Sequence, residues 1–125
     1  MKQRFIREGA GLPDDVTIVV RGGELDRAIL REDARRNHAI YGTYGLSVFA
    51  VRGITLDELA QQSPLVRFAR LTLMTVGAIR AARLRLEPTG RNPRHYDICF
   101  DELEPGITRL LACDHTVWIN PYHEP

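Results

Sequence analysis

Between Leu84 and Tyr96 the chain reads Leu-Arg-Leu-Glu-Pro-Thr-Gly-Arg-Asn-Pro-Arg-His-Tyr, and no regular helix can cross it. Pro88 and Pro93 each remove a backbone donor and fix φ, and Gly90 favours a turn, so this segment is a loop between two elements. The runs on either side, Leu84-Arg-Leu and Tyr96-Asp-Ile-Cys-Phe100, alternate in polarity. A period of two predicts strands, and the turn residues between them predict a hairpin. A hairpin here commits the chain to a sheet.

The rest of the chain supplies partners for it. Val16 to Val20 is a β-branched run entered through a turn at Leu12 to Asp15 and ended by Gly22-Gly23. Glu24 to Tyr41 predicts a helix with Leu30, Ala34, His38 and Tyr41 on one side and Glu32 placed to pair with Arg36. Leu46 to Arg52 is apolar on both faces and predicts a central strand. Thr55 and Glu58 have capping-box spacing, and Pro64 stops the short helix that they begin. Phe68 to Thr75 predicts a strand, followed by a helix over Ala78 to Arg83, because Leu71 and Leu73 keep a two-residue period while Thr72 and Thr75 disfavour one long helix. Asp101 and Glu104 repeat the capping spacing ahead of Leu103, Ile107, Leu110 and Leu111, and His115 to Ile119 predicts a last strand. Strands alternating with helices predict one small α/β or α+β domain over residues 1–125. Its expected form is a mixed sheet of about five or six strands packed with three to four helices.

Charge is balanced in total and uneven along the chain. Seventeen basic and sixteen acidic residues leave a formal net charge of +1, which excludes a generally basic nucleic-acid coat. Seven arginines lie between Arg67 and Arg94 against the single acid Glu87, whereas six acids follow His95 against Arg109 alone. Such a basic middle suits an anionic partner, unless the acidic tail lies alongside and neutralises it. Two cysteines, Cys99 and Cys113, cannot frame a disulfide scaffold, and no signal-like apolar run follows Lys2 and Arg4. These features lead to an expectation of a cytoplasmic protein with free thiols and no membrane span.

The Leu84 to Tyr96 loop is best matched to phosphate and base recognition. Arg91 and Arg94 offer planar donors for phosphate oxygens, Tyr96 offers a stacking face, and His95 can move a proton near neutral pH. The expected partner is RNA or another phosphate-bearing ligand, and the expected chemistry is metal-independent RNA cleavage of a toxin-like ribonuclease. His95 would act as acid or base, with Arg91 and Arg94 as charge stabilisers. The closing Asn120-Pro-Tyr-His-Glu-Pro125 is rigid and polar, and is expected to fold back over the basic loop. Tyr122 would then join the binding surface, and His123 or Glu124 would supply the second proton-transfer group. Cys113, His115 and His123 lack the paired spacing of common zinc sites, so neither a metal nor a cofactor is expected.

A different chemistry attaches to Val19-Val20-Arg21-Gly22-Gly23, where an arginine ends a buried strand beside glycines that admit a ligand. This resembles ADP-ribosyltransferases of the Arg-Ser-Glu type, whose first-strand arginine contacts the nicotinamide dinucleotide. The resemblance implies a NAD-using enzyme centred on Arg21, with Ser47 on the next strand and Glu87 as the other two positions. It covers a handful of residues, and the strand-borne Ser-Thr-Ser pattern is absent. A third alternative is a non-enzymatic subunit that binds a companion or inhibitory protein through its acidic last thirty residues. Oligomeric state is left open by the sequence.

Overall fold

The computed structural model describes residues 1–9 and 11–125. Six strands alternate with four helices: β1 (Thr17–Gly22), α1 (Arg27–Tyr41), β2 (Tyr44–Ala50), α2 (Leu56–Ala60), β3 (Arg70–Thr75), α3 (Val76–Ala81), β4 (Arg85–Glu87), β5 (His95–Phe100), α4 (Leu103–Leu111) and β6 (Thr116–Ile119). A 3₁₀ turn at Leu65–Arg67 follows α2. The strands form one sheet in the order β4-β5-β2-β1-β3-β6. Every pairing is antiparallel, including the expected hairpin of β4 with β5, so the sheet is not mixed.

Alternation along the strands divides the side chains between two faces. Ile18, Val20, Leu46, Val48, Tyr96, Ile98 and Phe100 join Leu30 and Ala34 of α1, Ile79 of α3 and Ile107 and Leu110 of α4 in the main core. On the opposite face Val19 and Leu71 pack with Leu59, Ala60 and Leu65 of α2 and the 3₁₀ turn, and Phe49 and Trp118 border them. The rest of that face is polar. There the chain's first residues lie across the β4–β5 loop, through a bridge of Ile6 with Thr89, a bond from Arg7 N–H to Pro88 O (2.8 Å) and one from Gly90 N–H to Phe5 O (2.9 Å).

The sheet has one weak seam. β1 pairs with β3 from Thr17 opposite Thr75 to Gly22 opposite Leu71, and β2 pairs with β5 from Tyr44 opposite Phe100 to Phe49 opposite His95. β1 and β2 themselves match at only two positions, Ile18 with Ala50 and Val19 with Phe49. Beyond Val19 the β1 register shifts and the two strands part. Glycine serves both sides of the opening. A Cβ on Gly22 would collide with the Phe68 ring, and one on Gly45 would stand 2.6 Å from Asn37 Nδ2.

Local signals held where their partners are local. Thr55 and Glu58 form the expected capping box. The second box does not form: Glu102, without a side-chain cap, precedes α4, and Asp101 instead accepts from Arg85 at 3.0 Å across the hairpin. Leu30 and Ala34 are buried on α1 as expected. His38 is exposed and stacks on Tyr44 with ring centroids 4.4 Å apart, since the last turn of α1 runs past the edge of the core.

The C-terminal segment is held against the body, but against α2 rather than the arginine loop. Asn120 is buried, and its Nδ2 lies within 3.2–3.3 Å of the carbonyls of Ala60, Leu65 and Phe68 while its Oδ1 accepts from Tyr122 N–H at 3.0 Å. Asn120→Ala removes these bonds and leaves buried carbonyls unpaired, so it should cost about 2 kcal/mol or more. Urea denaturation of the two proteins measures the difference.

Candidate functional site

The polar part of the second face is organised by Arg4. Its Nη2 forms an ion pair with Asp97 Oδ2 and reaches Thr89 Oγ1 at 3.4 Å, and its Nη1 donates to Asn37 Oδ1 at 3.2 Å. The guanidinium lies 4.3 Å from the centre of the Tyr41 ring. Asn37 can sit across β2 because Gly45 has no side chain, and its Nδ2 donates to Thr43 O at 2.8 Å. Ser47 is exposed on the same face of β2, with its hydroxyl 3.5 Å from Asp97 Oδ1. Asp97 itself is 1% exposed. Burial holds its carboxyl above the ordinary aspartate range, outweighing the opposing pull of Arg4, His95 and Thr89.

Two cavities meet at this cluster. A narrow one of about 390 Å³ opens where β1 and β2 part, lined by Arg21, Asp33, Arg36, Asn37 and Ser47 among others. A wider one of about 550 Å³ lies over the β4–β5 loop and includes Phe5, Arg91 and His95 in its wall. Arg4, Tyr41 and Ser47 line both, so the two adjoin as halves of one cleft with these residues at their junction. Arg21 is held in the narrow half by Asp33, Nη1 to Oδ2 3.1 Å, and by its own bond from Nε to Gly22 O at 3.0 Å.

The cleft gathers residues that the sequence placed in separate hypotheses. Arg91 and His95 share the wider half, and Arg21 and Ser47 share the narrow half. His95 Nδ1 lies 3.0 Å from both Thr89 O and Thr89 Oγ1, which leaves Nε2 as the ring nitrogen not engaged by Thr89. Arg94 does not join them. Its Nη2 reaches Gly53 O at 3.4 Å, on the side of α2 where its charge helps to hold the Glu58 carboxyl low, after the capping bonds from Thr55.

Other expected site residues also lie elsewhere. Tyr96 points into the main core because β5 alternates, and only residues flanking it face the cleft. Tyr122 donates to Asp57 Oδ1 at 3.2 Å, and Glu124 N–H bonds Val66 O at 2.9 Å, which fixes the closing segment beside α2. His123 is exposed in that same segment, with its N–H 3.4 Å from Asn120 O. Glu87 stands opposite Asp97, which stands opposite Ser47, so Glu87 is two strand spacings, about 10 Å, from the serine. Cys113 Sγ donates to Arg109 O at 3.4 Å, and no group of three His, Cys, Asp or Glu side chains able to hold a metal occurs among the described residues.

Sequence reasoning missed Arg4, Asn37, Thr89 and Asp97. Only Asp97 carried a signal, as a carboxylate, buried in the structure, between Tyr96 and Ile98 in a mostly apolar strand. Cys99, its neighbour on the same strand, is no nucleophile: burial pushes its thiol up to about 12.

The raised Asp97 value predicts a pH signature. The folded state favours the protonated acid, so this group stabilises most below the ordinary aspartate pKa of about 4, and that contribution fades as pH rises through the raised folded value. The stability of the wild type relative to Asp97→Asn should therefore fall as pH rises from below the ordinary aspartate value of about 4, measured by urea unfolding at each pH; a constant difference would contradict the assignment. Comparison with protein-family models, with curated proteins and with solved structures finds no match, and what the cleft can do rests on its own geometry.

Proposed function

We propose that the cleft binds NAD and that the protein is a NAD-using, ADP-ribosyltransferase-like enzyme centred on Arg21. One observation carries this reading: β1 and β2 part just where they present Arg21 and Ser47, and a cavity of small-molecule size fills the opening. NAD joins two nucleosides through a diphosphate. Arg21 and Arg4 supply the planar donors that a diphosphate requires, and Ser47 supplies a hydroxyl in the same cavity.

The carboxylate of this arrangement is Asp97 rather than Glu87, because Asp97 adjoins Ser47 and Glu87 is one strand farther away. In the free protein Arg4 covers it. A diphosphate that shares Arg4 with Asp97 would bring the ribose beside the carboxylate, whose negative charge stabilises the positive charge that develops as the bond to nicotinamide breaks.

A second reading, metal-independent RNA cleavage by Arg91 and His95, is supported by their sharing one wall of the wider half. It needs a second proton-transfer group other than His123 and Glu124, which lie beside α2. Isothermal titration with NAD, with nicotinamide release followed in parallel, separates the two. The expected result is binding that falls about ten- to a hundredfold in Arg21→Ala with circular dichroism unchanged, the scale of one lost charge-assisted contact. Absence of NAD binding by the wild type would reject the transferase reading.

A further inference from the structure

Apart from Arg4, the wider half of the cleft has groups that NAD binding in the narrow half does not use. Its wall includes Lys2, Arg4, Arg91 and His95 with the aromatic rings of Phe5 and Tyr41, and contains no aspartate or glutamate. Two guanidinium–aromatic stacks stand in this wall, Arg4 on Tyr41 at 4.3 Å and Arg91 on Phe5 at 4.8 Å. The second is open to solvent. Phe5 is 50% exposed, Arg91 is exposed, and among the described residues no carboxylate forms an ion pair with Arg91.

Exposed aromatic and guanidinium planes in an acid-free, cationic concavity are the combination that single-stranded nucleic acid uses, with bases on the planes and phosphates on the cations. An acidic peptide would use the charges and leave the Phe5 face idle. A free phosphate would need neither ring.

We infer that the wider half binds a single-stranded nucleic acid, one base on the Phe5 and Arg91 stack and phosphate against Lys2, and presents it as acceptor to the NAD in the narrow half. The acceptor role rests on the transferase reading; the strand-binding role stands on the wall alone. In the transfer the bond from the ribose carbon to the nicotinamide nitrogen breaks, and its electron pair neutralises the pyridinium. A hydroxyl or amino group of the strand bonds to that carbon, and its proton passes to Nε2 of His95. Nicotinamide leaves, and ADP-ribose stays on the strand.

The test uses a fluorescein-labelled mixed-sequence RNA 12-mer and the DNA strand of the same sequence, titrated with the full chain by anisotropy at low and moderate salt. Wild type should bind, more weakly as salt rises. Phe5→Ala and Arg91→Ala should each lose about tenfold or more, the scale of one stacked base. Arg21→Ala should keep strand affinity while its NAD binding weakens as above, which separates this site from the narrow half. Equal RNA and DNA affinity or a preference for RNA both support the site; they differ only in whether the 2′-hydroxyl is read. No strand binding at low salt, full affinity in both Phe5→Ala and Arg91→Ala, or equal displacement by polyglutamate would overturn the site. With adenine-labelled NAD and saturating strand, label on the strand is expected. Release of free ADP-ribose alone would overturn the acceptor role, whereas failure of the wild type to bind NAD with strand binding intact would remove the transferase reading and the acceptor role and leave the strand site.

Discussion

The separation of β1 from β2 is the constraint on which the rest of this structure depends. Each strand is paired along one side, β1 on β3 with a register shift between Val19 and Arg21 and β2 on β5 without one, and the two share only the pairs Ile18 with Ala50 and Val19 with Phe49. Past those pairs, the ladder that would join Val20 to Gly22 with Leu46 to Val48 is missing. Backbone donors and acceptors in an interior are costly to leave unmet, so such an opening persists where water or a ligand can reach it. The opening is also what brings Arg21 and Ser47 to a shared cavity instead of to neighbouring rungs of a closed sheet.

Arg4 complements that opening from the other side. It is contributed by an irregular segment, yet it touches α1 through Asn37, β5 through Asp97 and the hairpin loop through Thr89. A buried carboxylate without a cation would be far more costly, and a cation alone would lack a fixed direction. The pair therefore sets where positive charge stands in the cleft. Elsewhere the arginines serve the surface: Arg27 and Arg31 meet Glu104, Arg80 meets Asp14 and Arg85 meets Asp101. The basic middle of the chain is thus partly neutralised by nearby acids, with Arg91 left outside those pairs.

Much of the fold was legible because its signals are local. A capping box at Thr55, a pair of prolines around Gly90 and the two-residue periods of β3 and β5 each act within a few positions, and each element stands where its pattern put it. Asp101 failed as a cap because a cross-strand arginine offered it a charged partner, a competition that spacing along one segment does not reveal. The site was legible in pieces. Arg21, Ser47, Arg91 and His95 were each singled out, but their assembly depends on which strands are neighbours and on a seam that no periodicity records. Arg4 had no signal at all, since its role exists only when the first residues cross the β4–β5 loop.

The two ends of the chain are fastened to different halves of the sheet. Arg4 and Arg7 clasp the first residues to β5 and its hairpin loop, whereas Asn120 clasps the last ones to α2, the 3₁₀ turn and the start of β3. The seam between β1 and β2 lies between these clasps. Any change in the angle across it moves the two ends relative to each other, so a pair of spectroscopic labels near Gln3 and Tyr122 would read the seam directly, as a hand on each cover reads the opening of a book.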